Sequence, residues 1–68
     1  MSIEIVVNGE RHTTAEGQTV LGLLQQLQLD PARVAVELNR EIVRKPDWPT
    51  TPVPPGSQVE VVQFVGGG

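Results

Sequence analysis

The sequence predicts an α+β fold in which one helix packs on a mixed sheet of about five strands. Three observations carry that expectation. Two apolar runs of alternating pattern are each followed by an Asn-led turn and a second strand, a single amphipathic helix lies between these two hairpins, and a last apolar strand follows a proline-rich segment. At 68 residues the chain forms one domain. A domain of this size buries roughly 60% of its unfolded surface, so its core must be compact. We assign residues 1–65 to the folded domain and 66–68 to a flexible glycine tail.

In IEIVVNGERHTTA, Ile3, Ile5 and Val7 share one strand face by the two-residue period. Asn8-Gly9 is a strong hairpin signal, so strand one ends at Val7 and strand two covers Glu10 to Thr14. AEGQ makes a turn. In TVLGLLQQLQL, Val20, Leu23, Leu24 and Leu27 recur at helical spacing, giving a helix of about eleven residues with Thr19 as N-cap and Asp30-Pro31 as its stop. Gly22 inside it costs roughly 1 kcal/mol against alanine, and close packing on the sheet is the expected reason for it.

VAVEL then alternates Val34, Val36 and Leu38 against Ala35 and Glu37, and Asn39-Arg40 turns it into a short strand over Glu41 to Val43. Residues 44–56 hold five of the six prolines, which lack the amide hydrogen a sheet interior requires, so this segment reads as a surface loop. Trp48 within it is expected to pin the loop to the core. SQVEVVQFV is the final strand. The order resembles the β-grasp, or ubiquitin-like, architecture, which implies that the first and last strands lie side by side in mid-sheet.

That last strand is apolar on both parities. The resemblance places Val59 and Val61 inward, leaving Val62 and Phe64 as an apolar patch on the open face, where partners commonly bind. The alternative is that loop 44–56 folds back over them.

Composition removes several function classes. There is no cysteine, hence no disulfide, no zinc thiolate and no thiol nucleophile. No metal site is expected. The net charge is −3, with five Lys and Arg against eight Asp and Glu, and Trp48 and Phe64 are the only aromatics, which argues against nucleic acid and anionic membrane as partners. With no basic and apolar leader, a cytoplasmic location is the expectation, and the free chain is expected to be a monomer. His12 is the only histidine and has no placeable acid or hydroxyl beside it, so it reads as a solvent-facing strand residue. Arg40, Arg44 and Lys45 read as solvated surface charge. The glycine run is not a phosphate loop, because no helix follows it. An enzyme working through its own side chains is the least expected class.

Three glycines in succession at a chosen position arise by chance roughly three times in ten thousand, so a purpose is indicated. Glycine has no Cβ and lets the backbone approach another surface closely. Extended, Val65 to Gly68 reach about 13 Å, enough to thread a narrow channel and present an α-carboxylate to a buried active site. A carboxylate is a poor electrophile until ATP converts it to an acyl-adenylate, after which a persulfide sulfur can attack it. The product is a thiocarboxylate, a sulfur nucleophile that needs no cysteine.

The segments NGE, EGQTVLGLLQQL, VAVELNREIV, the single loop tryptophan and VEVVQFVGGG together resemble the ThiS family, the thiamine-pathway sulfur carriers, across essentially the whole chain. Many relatives end in two glycines where this chain has three, and Gly66 adds reach without changing the chemistry. The resemblance implies that Gly68 carries the thiocarboxylate and that Gly67 forms the diglycine end with it. Val62, Phe64 and Val65 are the expected partner-binding residues. It also implies an E1-like adenylyltransferase of the ThiF type that uses the ATP, a sulfur source fed by a cysteine desulfurase, and a ThiG-type thiazole synthase that receives the sulfur. This chain would bind no cofactor and act as a protein co-substrate. The molybdopterin-pathway sulfur carriers share the fold and the diglycine end, but their tail usually follows a proline-bearing stretch, whereas Gln63-Phe64-Val65 leads here straight into glycine. A ubiquitin-like modifier, joined through its last glycine to lysine, and a plain interaction domain also fit a small fold with a glycine end.

Overall fold

A computed structural model describes residues 1–64. Five strands, β1 (Ser2–Val7), β2 (Glu10–Ala15), β3 (Val34–Leu38), β4 (Glu41–Val43) and β5 (Gln58–Gln63), and one helix, α1 (Val20–Gln26), follow each other as the hydrophobic pattern dictates. The sheet order is β2-β1-β5-β3-β4. β1 and β5 run parallel and the other neighbours antiparallel, so the sheet is mixed and the last strand lies at its centre.

Both hairpins turn through two residues with positive φ, Asn8 (50°) with Gly9 (82°) and Asn39 (50°) with Arg40 (71°). Such turns match the twist of the flanking strands, and asparagine tolerates the left-handed region better than most residues. The two-residue period then puts Ile5, Val7, Val34, Val36 and Val59 on one face, against Val20, Leu23 and Leu24 of α1. All eight are buried.

The helix is shorter than its apolar pattern suggests, seven residues rather than eleven. Thr19 caps its start as expected, its hydroxyl accepting from the Gly22 N–H at 3.1 Å. At the other end Gln28 takes the left-handed conformation (φ 59°), and the N–H groups of Gln28 and Leu29 donate back to the carbonyls of Gln25 and Leu24. This is a Schellman closure, with glutamine in the place glycine usually holds. It turns Leu29 back against the core, so the apolar periodicity outlasts the helix.

Gly22 does not owe its place to the sheet. A Cβ there would collide with the Gln18 side chain and crowd the Thr19 hydroxyl. Gln18 is itself held, its Nε2 donating to Thr14 Oγ1 at 3.0 Å, while the buried Thr14 hydroxyl donates to Gln26 Oε1 at 2.6 Å. The missing side chain makes room for a polar network that ties α1 to β2.

The segment 44–56 is more than a surface loop. Trp48 and Val53 are both buried, and the Trp48 indole donates to the Val43 carbonyl at 2.8 Å. The carbonyls of Thr51 and Trp48 accept from the N–H groups of Val20 and Leu21, two donors that a helix start leaves without intrahelical partners. The prolines make the segment unsuitable for a sheet but do not prevent its carbonyls from capping a helix. His12 also departs from expectation: it stands opposite Ile5 on the helix-facing side of β2 and is half-buried, 3.9 Å from Glu10.

Candidate functional site

The site of interest is the end of β5, because the residues expected to do chemistry follow it. Val65, Gly66, Gly67 and Gly68 lie outside the described residues. What the structure places is the body from which they depart.

β5 alternates as its central position requires. Val59 is buried and Val61 half-buried on the helix side, whereas Val62 and Phe64 are 57% and 58% exposed. Loop 44–56 does not cover them; it is engaged with α1 and the core on the other side of the sheet. Val62 pairs with Ala35, and Phe64, one residue past the strand, continues the ladder by donating its N–H to the Arg33 carbonyl at 2.7 Å. Ile42 on β4 adds a third apolar side chain, 75% exposed.

Ala35, Val36, Glu37, Ile42, Glu60 and Val62 line a shallow groove of about 130 Å³ on this face. Glu37 and Glu60 stand directly opposite each other across β3 and β5. The Asp30–Arg33 ion pair and the 3.9 Å approach of His12 to Glu10, the salt-bridge contacts among the described residues, involve neither. The face is therefore apolar with an unneutralised acidic edge, which suits a partner surface that is apolar and basic. No group of three or more metal-ligating side chains occurs among the described residues, and none of their helices is long and apolar enough to cross a membrane.

The strand is gripped by two asparagines that sequence reasoning assigned only to turns. Asn39 donates its backbone N–H to the Gln58 carbonyl at 2.8 Å, and its side-chain oxygen accepts from the Gln58 N–H at 2.9 Å. Asn8 donates its backbone N–H to Val59 O at 2.9 Å. Its side-chain amide then accepts from Val61 N–H at 2.8 Å and donates to Val61 O at 3.1 Å. Asparagine at both turns was the available signal, since its side chain is a peptide group on a short stem. Its target 53 residues away was not readable without the strand order. Ile42 and the Glu37–Glu60 pair were likewise missed, because they form a surface only once β4, β3 and β5 are aligned.

A model of the ThiS family matches residues 4–68. The sulfur carrier protein ThiS of Escherichia coli is 35% identical over 66 residues, covering 97% of this chain and all of that protein. The crystal structure of a thiamine biosynthesis protein (ThiS) from Geobacter metallireducens superposes with a TM-score of 0.84 at 36% identity, covering 97% of this chain and all of that one. A thiazole synthase of Paramagnetospirillum magneticum is 41% identical over 66 residues, 97% of this chain but 20% of that protein. The chain thus spans about a fifth of the length of the thiazole synthases it matches.

Proposed function

Because this chain belongs to the ThiS family, we propose that it is a sulfur carrier of thiamine biosynthesis whose working group is the α-carboxylate of Gly68. The observation that carries this reading is the match through residue 68, the last of three glycines, on a body that presents exposed apolar side chains where the tail begins.

The carboxylate attacks the α-phosphate of ATP, bound by an E1-like adenylyltransferase of the ThiF type, and pyrophosphate leaves. A persulfide sulfur, fed by a cysteine desulfurase, displaces AMP from the acyl-adenylate. Cleavage of the resulting S–S bond by a thiol leaves the thiocarboxylate on Gly68. The absence of cysteine, which leaves no side-chain thiol for this task, supports the backbone carboxylate as the carrying group. Gly66 and Gly67 supply the narrow backbone that lets the terminus enter an enclosed site.

A ThiG-type thiazole synthase is the proposed acceptor. Support comes from the relatives named thiazole synthase, in which a stretch similar to this chain is part of the same polypeptide. Val62 and Phe64, with Ile42 beside them, would dock the body on either enzyme, and Val65 would begin the inserted segment.

Intact mass tests the reading. After incubation with ATP, a thiamine-branch adenylyltransferase and a persulfide source, the chain should gain the mass difference of one sulfur for one oxygen, mapping to Gly68. No gain in a mixture that converts the Escherichia coli carrier would refute it.

A further inference from the structure

Asn8 grips Val61 just past the point where β1 stops pairing with β5. β1 ends at Val7, and its parallel pairing with β5 consists of Val6 with Gln58 and Val7 with Val59. Past Val59 the β3 side of β5 stays paired as far as Gln63 with Val34, but β1 has no more chain to offer. The Asn8 side chain takes over at that point. One donor and one acceptor at 3.1 and 2.8 Å engage both backbone groups of Val61, which a continued β1 would have met with two successive peptides.

A strand bonded along one edge can hinge about that edge, whereas one bonded along both is fixed in direction. Asn8 thus extends the two-sided hold by one pair of residues, to within seven positions of Gly68. From the placement of this clamp we infer that Asn8 is a positioning residue for activation of the terminal carboxylate: it sets the direction in which β5 delivers the tail. The inference rests on the carrier reading given above. Among the described residues of β5, the Asn8 side chain engages Val61, and it is through Val61 that it acts.

Few residues can fill this position. Asn8 has φ of 50°, which glycine, asparagine and aspartate tolerate. Glycine would keep the turn and lose both side-chain bonds. Aspartate would keep the acceptor for Val61 N–H and oppose the Val61 carbonyl with negative charge. Asn39 is a built-in control for the turn, because it has the same φ and its side-chain oxygen accepts a single bond, from Gln58 N–H at the far end of β5.

Asn8→Gly, Asn8→Asp and Asn39→Gly should be compared in the full chain, well below each melting temperature, by following pyrophosphate release with a thiamine-branch adenylyltransferase. Losing a two-bond clamp that preorganises delivery should lower kcat of Asn8→Gly about three- to tenfold with KM changed less than twofold. Asn8→Asp should fall between it and the parent, and Asn39→Gly should keep the parent kcat. Amide exchange provides a second readout. In Asn8→Gly, protection of the Val61 and Phe64 amides should drop relative to that of Leu24, and in Asn39→Gly their ratio should hold. Equal kcat values for Asn8→Gly and Asn39→Gly, or an unchanged Phe64 ratio, would overturn the inference while leaving the carrier reading intact. A parent chain that releases no pyrophosphate would overturn the carrier reading and this one with it.

Discussion

Glu37 and Glu60 face each other on adjacent antiparallel strands, two carboxylates in direct cross-strand register with no cation between them. Like charges so placed are destabilising by roughly 0.2–1 kcal/mol. Glu60→Lys would turn the repulsion into attraction. It should raise stability in urea by about 0.5–1 kcal/mol, and the gain should shrink at 1 M salt, where screening acts over about 3 Å. If the pair serves to meet a basic partner, the same variant should bind an adenylyltransferase more weakly while folding better.

The end of α1 offers a second gain. Gln28 occupies the left-handed position of the Schellman closure, where a side chain costs about 1–2 kcal/mol that glycine avoids, although glycine also loses more entropy on folding. Gln28→Gly should therefore stabilise the chain by about 0.5–1 kcal/mol, read as a higher urea midpoint at unchanged m-value. Gln28 is exposed and does not line the groove, so activation should not change.

These two positions show what was and was not legible in the sequence. The strands, the helix start at Thr19 and both turns follow from periods of 2 and 3.6 and from Asn-led turn chemistry, which are local signals. The helix end was misplaced because Leu27 and Leu29 keep an apolar spacing while Gln28 reverses the chain. No residue type announces a left-handed glutamine. Loop 44–56 read correctly as non-sheet and Trp48 as its pin, but its capping of α1 depends on contacts some thirty residues apart. For the site, the apolar parity of Val62 and Phe64 was visible. The acidic pair and the Asn8 clamp were not, because each joins segments that only the sheet order brings together.

Trp48 should be the most sensitive position tested. It is 2% exposed and lies where the loop meets the core. Trp48→Ala removes a large buried side chain at a cost of about 3–5 kcal/mol, much of the few to about 10 kcal/mol expected for a chain of this length. Circular dichroism should show it largely unfolded at 37 °C. Trp48→Phe keeps most of the packing and leaves the Val43 carbonyl without its indole donor, so a smaller loss of about 1–3 kcal/mol is expected.

Docking and chemistry should separate at the end of the chain. Among the described residues, all ten buried apolar side chains lie at or before Val59, so deleting Gly67 and Gly68 should leave the melting temperature within about 1 °C of the parent and abolish thiazole formation in a reconstituted thiamine-branch assay. Val62→Asp places a charge on the exposed patch without touching the core. It should keep the fold, raise KM for the adenylyltransferase roughly tenfold, as losing a buried apolar contact would, and leave kcat nearly unchanged. The truncated chain, with its patch intact, should still compete with the full chain for the enzyme. Loss of competition on truncation would mean that the tail itself supplies the affinity, and the patch would then have no role in binding.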